Sequence, residues 1–325
     1  MKNTLFLIAL ALILFPTTGF WGFFGHHRIN RLAVFTLPSE MIGFYKNNIE
    51  FITEAAVNPD RRRFAVPEEA PRHYIDIDHF GAGGIHEMPR FWNDALKKYG
   101  EDTLTTYGIL PWHINQMYYR LRSAFLIKDP EMILRISAEL GHYLADAHVP
   151  LHTTQNHNGQ LTGQEGIHAF WESRLPELFS DNYDFFVGRA AYVTNPQLEA
   201  WKAVESAHFA LDSVLTLEKN LSTEWGEKKY SFETKGKQTI KVYSQPYSKT
   251  YHSLLSGMVE RQMRASIKMI GDFWFTAWVD AGQPDLRPLV DYKPSEEELK
   301  KNRLALEQWK QQMIKSREHE NSNVE

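Results

Sequence analysis

The chain contains no cysteine among its 325 residues. That absence excludes a disulfide framework, a thiolate metal site and a cysteine nucleophile. Any metal chemistry must therefore use nitrogen and oxygen donors, and fourteen histidines supply them. Excess positive charge is also missing: 36 Lys and Arg stand against 40 Asp and Glu, a formal charge of -4. There is no basic footprint for passive nucleic-acid binding, so a phosphate would need a local site. Long apolar runs are absent beyond the N-terminus, and no later stretch approaches a membrane span.

The one such run, Leu5 to Phe15 behind Met1-Lys2, reads as the core of a signal peptide over residues 1–20. A retained N-terminal anchor is the alternative. The remaining protein is then secreted or periplasmic, without a transmembrane segment after signal removal. With 43% hydrophobic and 23% charged residues the chain can bury a core. Nothing in the sequence points to an obligate protein partner.

Apolar spacing predicts a mainly α fold. One helix opens at Pro130-Glu131 and must end near Pro150, because proline disfavours helix at the preceding residue. A second is predicted from Gly166 to Leu175, stopped by Pro176. Others run from Pro196 to about Leu217 and from Met258 to Val279, with a possible hairpin between Lys229 and Val242. Trp274, Phe275 and Trp278 on the Met258–Val279 helix read as core residues, with a lipid or base contact as the alternative. No repeat period is present, so residues 21–290 read as one catalytic domain. Residues 291–325 read as an appended helix and charged tail, opened by a capping-box pattern at Ser295 and Glu298 and fraying from Lys315.

The densest chemical signal is GHYLADAHVPLH, Gly141 to His152. His142 and Asp146 are four apart, so a helix places both on one face, and Pro150 lets the chain turn to bring His152 back. His168 and Glu172, in GIHAFWE, form a second pair with the same spacing. One His-x3-acid pair is commonly a surface ion pair. Two of them, joined by turn residues Asn156, Asn158 and Gly159, point to metal ligation by imidazole and carboxylate, the donors zinc takes when no thiolate exists. Upstream lie Asp60 in NPDRRR, His73 with Asp76 and Asp78 in HYIDID, and Trp21 and His26 in WGFFGHH. Each is weak alone. His27 is a substitute for His26, and His148 reads as a packing or supporting residue. His79, His86 and His113 lack partnered spacing, and Tyr118 and Tyr119 have no assigned role.

As an ordered set, Trp-x4-His, Asp60, His73, His142/Asp146/His152 and His168/Glu172 resemble the superfamily of zinc-dependent phospholipases C and single-strand-specific zinc nucleases. The resemblance covers roughly residues 21 to 284. It implies a helical domain around a cleft with three Zn2+ ions. Asp60, His73, His142 and Asp146 would hold the first ion, and His152, His168 and Glu172 the second. His26, a bridging Asp146 and the free α-amino nitrogen and carbonyl oxygen of Trp21 would hold the third. Cleavage after Phe20 would free Trp21, whereas cleavage after Gly19 would leave Phe20 first. The resemblance also implies catalytic roles for Asp60 and Arg63, the latter as a phosphate contact, though Arg61 and Arg62 adjoin it and a solvated basic turn is the alternative.

Branch features divide. Glu172 resembles the phospholipase branch, while the Trp21-to-His26 step and Arg63 resemble the nucleases. The expected activity is phosphoric ester hydrolysis, phospholipase C-like, with a phospholipid headgroup as substrate. The alternative is a nuclease acting on single-stranded nucleic acid. A non-catalytic zinc-binding protein is the alternative from another class.

Overall fold

The computed structural model describes residues 23–81, 83–235 and 238–311. The signal-peptide reading over 1–20, Trp21, and the tail from Lys315 lie outside the described residues. The helices in chain order are α1 (Phe23–Ala33), α2 (Ser39–Asn47), α3 (Ile49–Ala55), α4 (Asn58–Arg62), α5 (Gly84–Glu87), α6 (Trp92–Tyr99), α7 (Glu101–Tyr107) and α8 (Leu110–Ile127). They continue with α9 (Pro130–Asp146), α10 (Ile167–Ala169), α11 (Leu175–Phe179), α12 (Pro196–Trp225), α13 (Gln245–Leu254), α14 (Met258–Asp280) and α15 (Glu296–Gln311). Between α12 and α13 runs an antiparallel hairpin, β1 (Tyr230–Lys235) with β2 (Gln238–Tyr243), in which Tyr230 faces Tyr243. The fold is mainly α. No helix among the described residues is long and apolar enough to cross a membrane.

Helix α9 is the centre of the core. The Asp129 carboxylate accepts from the Met132 amide at 3.0 Å, and Pro130 fills the first turn, where no N–H is required. Ile133, Ile136, Leu140 and Leu144 are buried, but so is nearly every other residue from Ile133 to Asp146, so α9 is enclosed on all sides. Helices α1, α3, α8 and α14 pack around it. Its end is set by Pro150: Val149 is forced into an extended conformation, and a 3₁₀ turn at Pro150–Thr153 carries His152 back toward the helix.

Two close approaches fix the helices around α9. A Cβ on Gly141 would lie 2.3 Å from Asn30 Oδ1, and the Asn30 amide donates to the Ala138 carbonyl at 2.9 Å. The missing side chain at Gly141 thus lets α1 press against α9. On another face Trp274 stacks on Tyr45 with ring centroids 5.0 Å apart, while its indole N–H donates to the Ser137 carbonyl at 3.0 Å. Trp278 donates to the Pro284 carbonyl at 2.9 Å. Trp274 and Trp278 are buried and Phe275 packs against the core, so the lipid- or base-facing alternative for these rings does not hold. Tyr118 is buried and Tyr119 exposed, and the Tyr118 hydroxyl donates to Asp280.

Two boundaries differ from the sequence reading. Pro176 does not end the helix that begins near Gly166. Instead α10 passes into a π turn at Phe170–Arg174, and Pro176 occupies the first turn of α11, which continues to Phe179. In a first turn proline removes no needed donor. Helix α12 runs past Leu217 to Trp225. Leu221 is buried, and the buried Glu218 carboxylate accepts from the Gln164 amide at 2.5 Å and the Tyr247 hydroxyl at 2.7 Å, which gives the extra turns a packed face.

The hairpin is tied to the π turn. Tyr243 stacks on Phe170 at 3.9 Å between centroids, and Arg174 pairs with Glu233. The C-terminal α15 starts with a reciprocal cap: Ser295 N–H donates to the Glu298 carboxylate, and Glu298 N–H donates to Ser295 Oγ at 3.2 Å. It packs on α4, placing Trp309 5.7 Å from the Arg62 guanidinium.

Candidate metal centre

Six elements deliver side chains to one buried place. Helix α1 brings His26, and α4 brings Asp60. A 3₁₀ turn at Ala70–Arg72 leads directly into His73, and α9 presents His142 and Asp146 one turn apart. The Pro150 turn carries His152, and α10 with its π turn carries His168 and Glu172. The close approach at Gly141 has a direct effect here. It lays the His26 ring over the His142 ring, 4.0 Å between centroids and 26° between planes.

Among the described residues three groups present ligand atoms that lie within 4.8 Å of one another: Asp60, His73 and His142; His26, His142 and Asp146; His152, His168 and Glu172. In the first group His142 Nε2 is 3.0 Å from His73 Nδ1 and 3.7 Å from Asp60 Oδ1. In the last, His168 Nε2 is 2.8 Å from Glu172 Oε2 and 3.0 Å from His152 Nε2. Asp146 stands between them. Its Oδ2 is 3.0 Å from His73 Nδ1 and 3.2 Å from His142 Nε2. Its Oδ1 is 3.4 Å from His26 Nε2 and 3.7 Å from His152 Nδ1. One carboxylate thus divides its two oxygens between neighbouring groups.

The donor set suits a metal ion. Asp60, Asp146 and Glu172 converge in an enclosure where His73 and His142 are fully buried and Asp146 is 1% exposed. Buried carboxylates need positive charge close by. Burial alone would raise each of them, but His142 holds Asp60 low, His142 and His152 hold Asp146 well below the usual range, and His152 does the same for Glu172. Burial lowers His142 and His168, which favours the neutral imidazole that offers a lone pair. For His26 burial is outweighed by Glu172 and Asp146, and its pKa rises to about 9. The carboxylates thus draw protons onto a neighbouring imidazole. These buried His and Asp/Glu groups lie at metal-binding distances.

The three arginines of α4 and its end have separate partners. Arg61 bonds to Asn58 at 3.3 Å, and Arg62 turns to Glu69 and Glu139. Arg63 is buried beside the centre with Nη1 3.6 Å from Asp60 Oδ1, while its Nε and Nη1 make no hydrogen bond among the described residues. A buried guanidinium so loosely held retains donors for an incoming anion.

Other sequence candidates lie off the centre. His27 is half-buried against Phe23, outside the three groups. His148 bonds through Nδ1 to the Leu144 carbonyl at 2.8 Å, a packing role within its own helix turn. Asp76 and Asp78 are not in the groups either. Asp78 accepts from Thr154 Oγ1 at 2.7 Å and from Gln155 N–H at 3.1 Å, clamping the start of the loop between His152 and His168. That loop closes as Asn156 Oδ1 accepts from Leu161 N–H at 2.8 Å and Asn158 Oδ1 from Gly166 N–H at 3.0 Å. Gly159 sits at φ +76, where a side chain would be strained.

Sequence reasoning missed Glu69. This carboxylate is fully buried, and its Oε1 lies 3.7 Å from His73 Nε2. Its spacing to His73 is the same four residues that marked the other pairs. The segment PEEAPRH hides the signal, because its prolines give no helical pattern in which to see it. No family model matches the chain, and no curated protein matches it.

Proposed function

We propose that the protein is a zinc-dependent phosphodiester hydrolase, phospholipase C-like in its substrate. The observation that carries the reading is the convergence of three nitrogen–oxygen groups on Asp146, with the buried Arg63 guanidinium beside Asp60. Asp60, His73, His142 and Asp146 would hold one ion, His152, His168 and Glu172 a second, and His26 with Asp146 a third, to which Trp21 would add its α-amino nitrogen if cleavage after Phe20 makes it the first residue. Bound zinc supplies water ionised near neutral pH and positive charge for phosphate oxygens.

The chain's own residues do the rest. Arg63 presents its fork of N–H donors to a phosphate oxygen and orients the diester against the centre. The Asp60 carboxylate, facing both His142 and Arg63, fixes the two relative to each other. Burial of the histidines keeps bulk water from competing for the ligand atoms. No side-chain nucleophile is required by this arrangement. The apolar run Leu5 to Phe15 supports export, and secretion or delivery to the periplasm belongs to the same proposal.

A nuclease is the second reading. The orphaned donors of the buried Arg63 favour it, because that residue resembles the phosphate contact of the nuclease branch. Zinc content by mass spectrometry, with assays of the loaded protein on phosphatidylcholine and single-stranded DNA, tests the proposal. Cleavage of phosphatidylcholine supports the first reading, and cleavage of DNA alone replaces it with the second. Stoichiometric zinc with no turnover of either would leave a zinc-binding protein without this chemistry.

A further inference from the structure

Behind His73, on the side away from the metal-ligand group, lies a closed network of charge. Glu69 is its hub. Glu69 Oε2 accepts from Arg62 Nε at 2.7 Å and from Arg72 Nη1 at 2.8 Å, and Oε1 accepts from the Tyr143 hydroxyl. Arg62 also donates to Glu139 at 3.0 Å and to the Tyr143 oxygen at 3.2 Å. The Glu69 carboxylate is therefore gripped by two guanidinium groups and a phenol, with no freedom to rotate. The Oε1 that remains facing inward is the one 3.7 Å from His73 Nε2.

The two nitrogens of His73 thus look in opposite directions. Nδ1 faces Asp146, His142 and Asp60, at 3.0, 3.0 and 3.8 Å. A neutral imidazole carries one proton and one lone pair, and the lone pair must sit on the metal-facing nitrogen. The proton is then on Nε2, toward an anionic oxygen. At 3.7 Å the contact exceeds ordinary hydrogen-bond length but lies within ion-pair reach, so the carboxylate acts on the N–H dipole through its field.

We infer that Glu69 is a positioning residue of the metal centre: it holds His73 as the Nε2–H tautomer with Nδ1 directed at the metal. Arg62, Arg72 and Tyr143 keep that carboxylate in place. The inference rests on the metal-centre reading and not on which ester is cleaved. Outer carboxylates of this kind change metal affinity about 10–100-fold when removed.

The test is a competition titration of Zn2+ between a chromophoric chelator and the full chain, in wild type, E69Q and E69D, together with nitrogen-15 shifts of the His73 ring in the zinc-loaded wild type. We expect E69Q to bind zinc about 10–100-fold more weakly. E69D, which keeps the charge, recovers part of the loss, and the loaded His73 carries its proton on Nε2. Zinc affinity in E69Q equal to wild type overturns the inference alone. Should E69Q fail to fold, the wild-type ring shifts decide, and a proton on Nδ1 overturns it. Wild type that takes up no zinc at all overturns the metal-centre reading together with this one.

Discussion

The His26 ring lies almost flat on the His142 ring, 4.0 Å away, although the two side chains come from different helices. Imidazoles so placed cannot both be protonated at low cost, yet each points a nitrogen at Asp146. The arrangement persists because α1 is pressed against α9 at Gly141. The same contact makes the centre vulnerable at a position that carries no chemistry.

Gly141→Ala should show this. In an ordinary helix interior that change stabilises by about 1 kcal/mol. Here the new Cβ would fall 2.3 Å from Asn30 Oδ1 and displace an amide bonded to the Ala138 carbonyl. We expect a net destabilisation of about 1–3 kcal/mol in urea unfolding, with weaker metal retention. A variant more stable than wild type would contradict the close-approach argument.

Asp146 should matter more for metal content than its single charge suggests. Its oxygens face His73 and His142 on one side and His26 and His152 on the other. At equal free zinc, Asp146→Asn should lose more metal equivalents than His168→Ala, which removes a donor from one group. Mass-spectrometric metal counts decide, and the reverse order would speak against the shared position. His142→Ala should lose metal and activity together.

Arg63 can be separated from metal holding. Arg63→Ala should keep zinc near the wild-type level while phosphodiester turnover falls about 100-fold, the scale seen when one donor to a developing charge is lost. Arg63→Lys keeps the charge but not the planar fork and should recover only part of it. Zinc lost in proportion to activity would assign Arg63 to the architecture instead.

Acid sensitivity should have an identifiable contributor in His113, which meets Tyr143 edge-on at 4.5 Å between ring centroids. Burial first, then the Arg72 guanidinium and His73, outweigh Glu69 and Gln116 and lower its pKa from 6.5 to about 3. Between those values the unfolded chain takes up a proton that the folded chain refuses. Stability from this residue is therefore intact above about pH 6.5 and declines as pH falls toward 3, by about 1.4 kcal/mol per pH unit at most. His113→Phe should flatten the stability-versus-pH curve by that increment in denaturant titrations. Parallel curves for variant and wild type would remove His113 from the account.

Much of the centre was legible in the chain because it is built from local rules. The spacing of His142 and Asp146 puts them on one face of a helix, and Pro150 forces the turn that returns His152. The illegible part depends on long-range packing. Three consecutive arginines look alike in sequence, but the short α4 helix fans them apart, so Arg62 meets Glu69 and Glu139 while Arg63 meets Asp60. Pro176 read as a stop because sequence alone does not tell a helix's end from the first turn of the next. Glu69 stayed hidden because its partners, Arg62 and Tyr143, are brought to it by α4 and α9.

The π turn at Phe170–Arg174 makes this candidate metal centre sensitive to the length of the chain as well as to its chemistry. A π turn holds one residue more than the α-helical winding around it, and each α-helical residue advances about 100° about the axis. Deleting a single residue between His168 and Glu172 would restore regular winding and shorten their spacing from four residues to three. His168 lies before the turn and Glu172 inside it, with Tyr243 stacked on Phe170 from the hairpin. The pair would then stand three residues apart, still on one face, but the 2.8 Å approach of His168 Nε2 to Glu172 Oε2 would have to be rebuilt although every ligand residue was still encoded. The candidate ligand group is thus set by the number of residues in this turn as well as by their identity, and a one-residue deletion here disturbs it with every ligand in place.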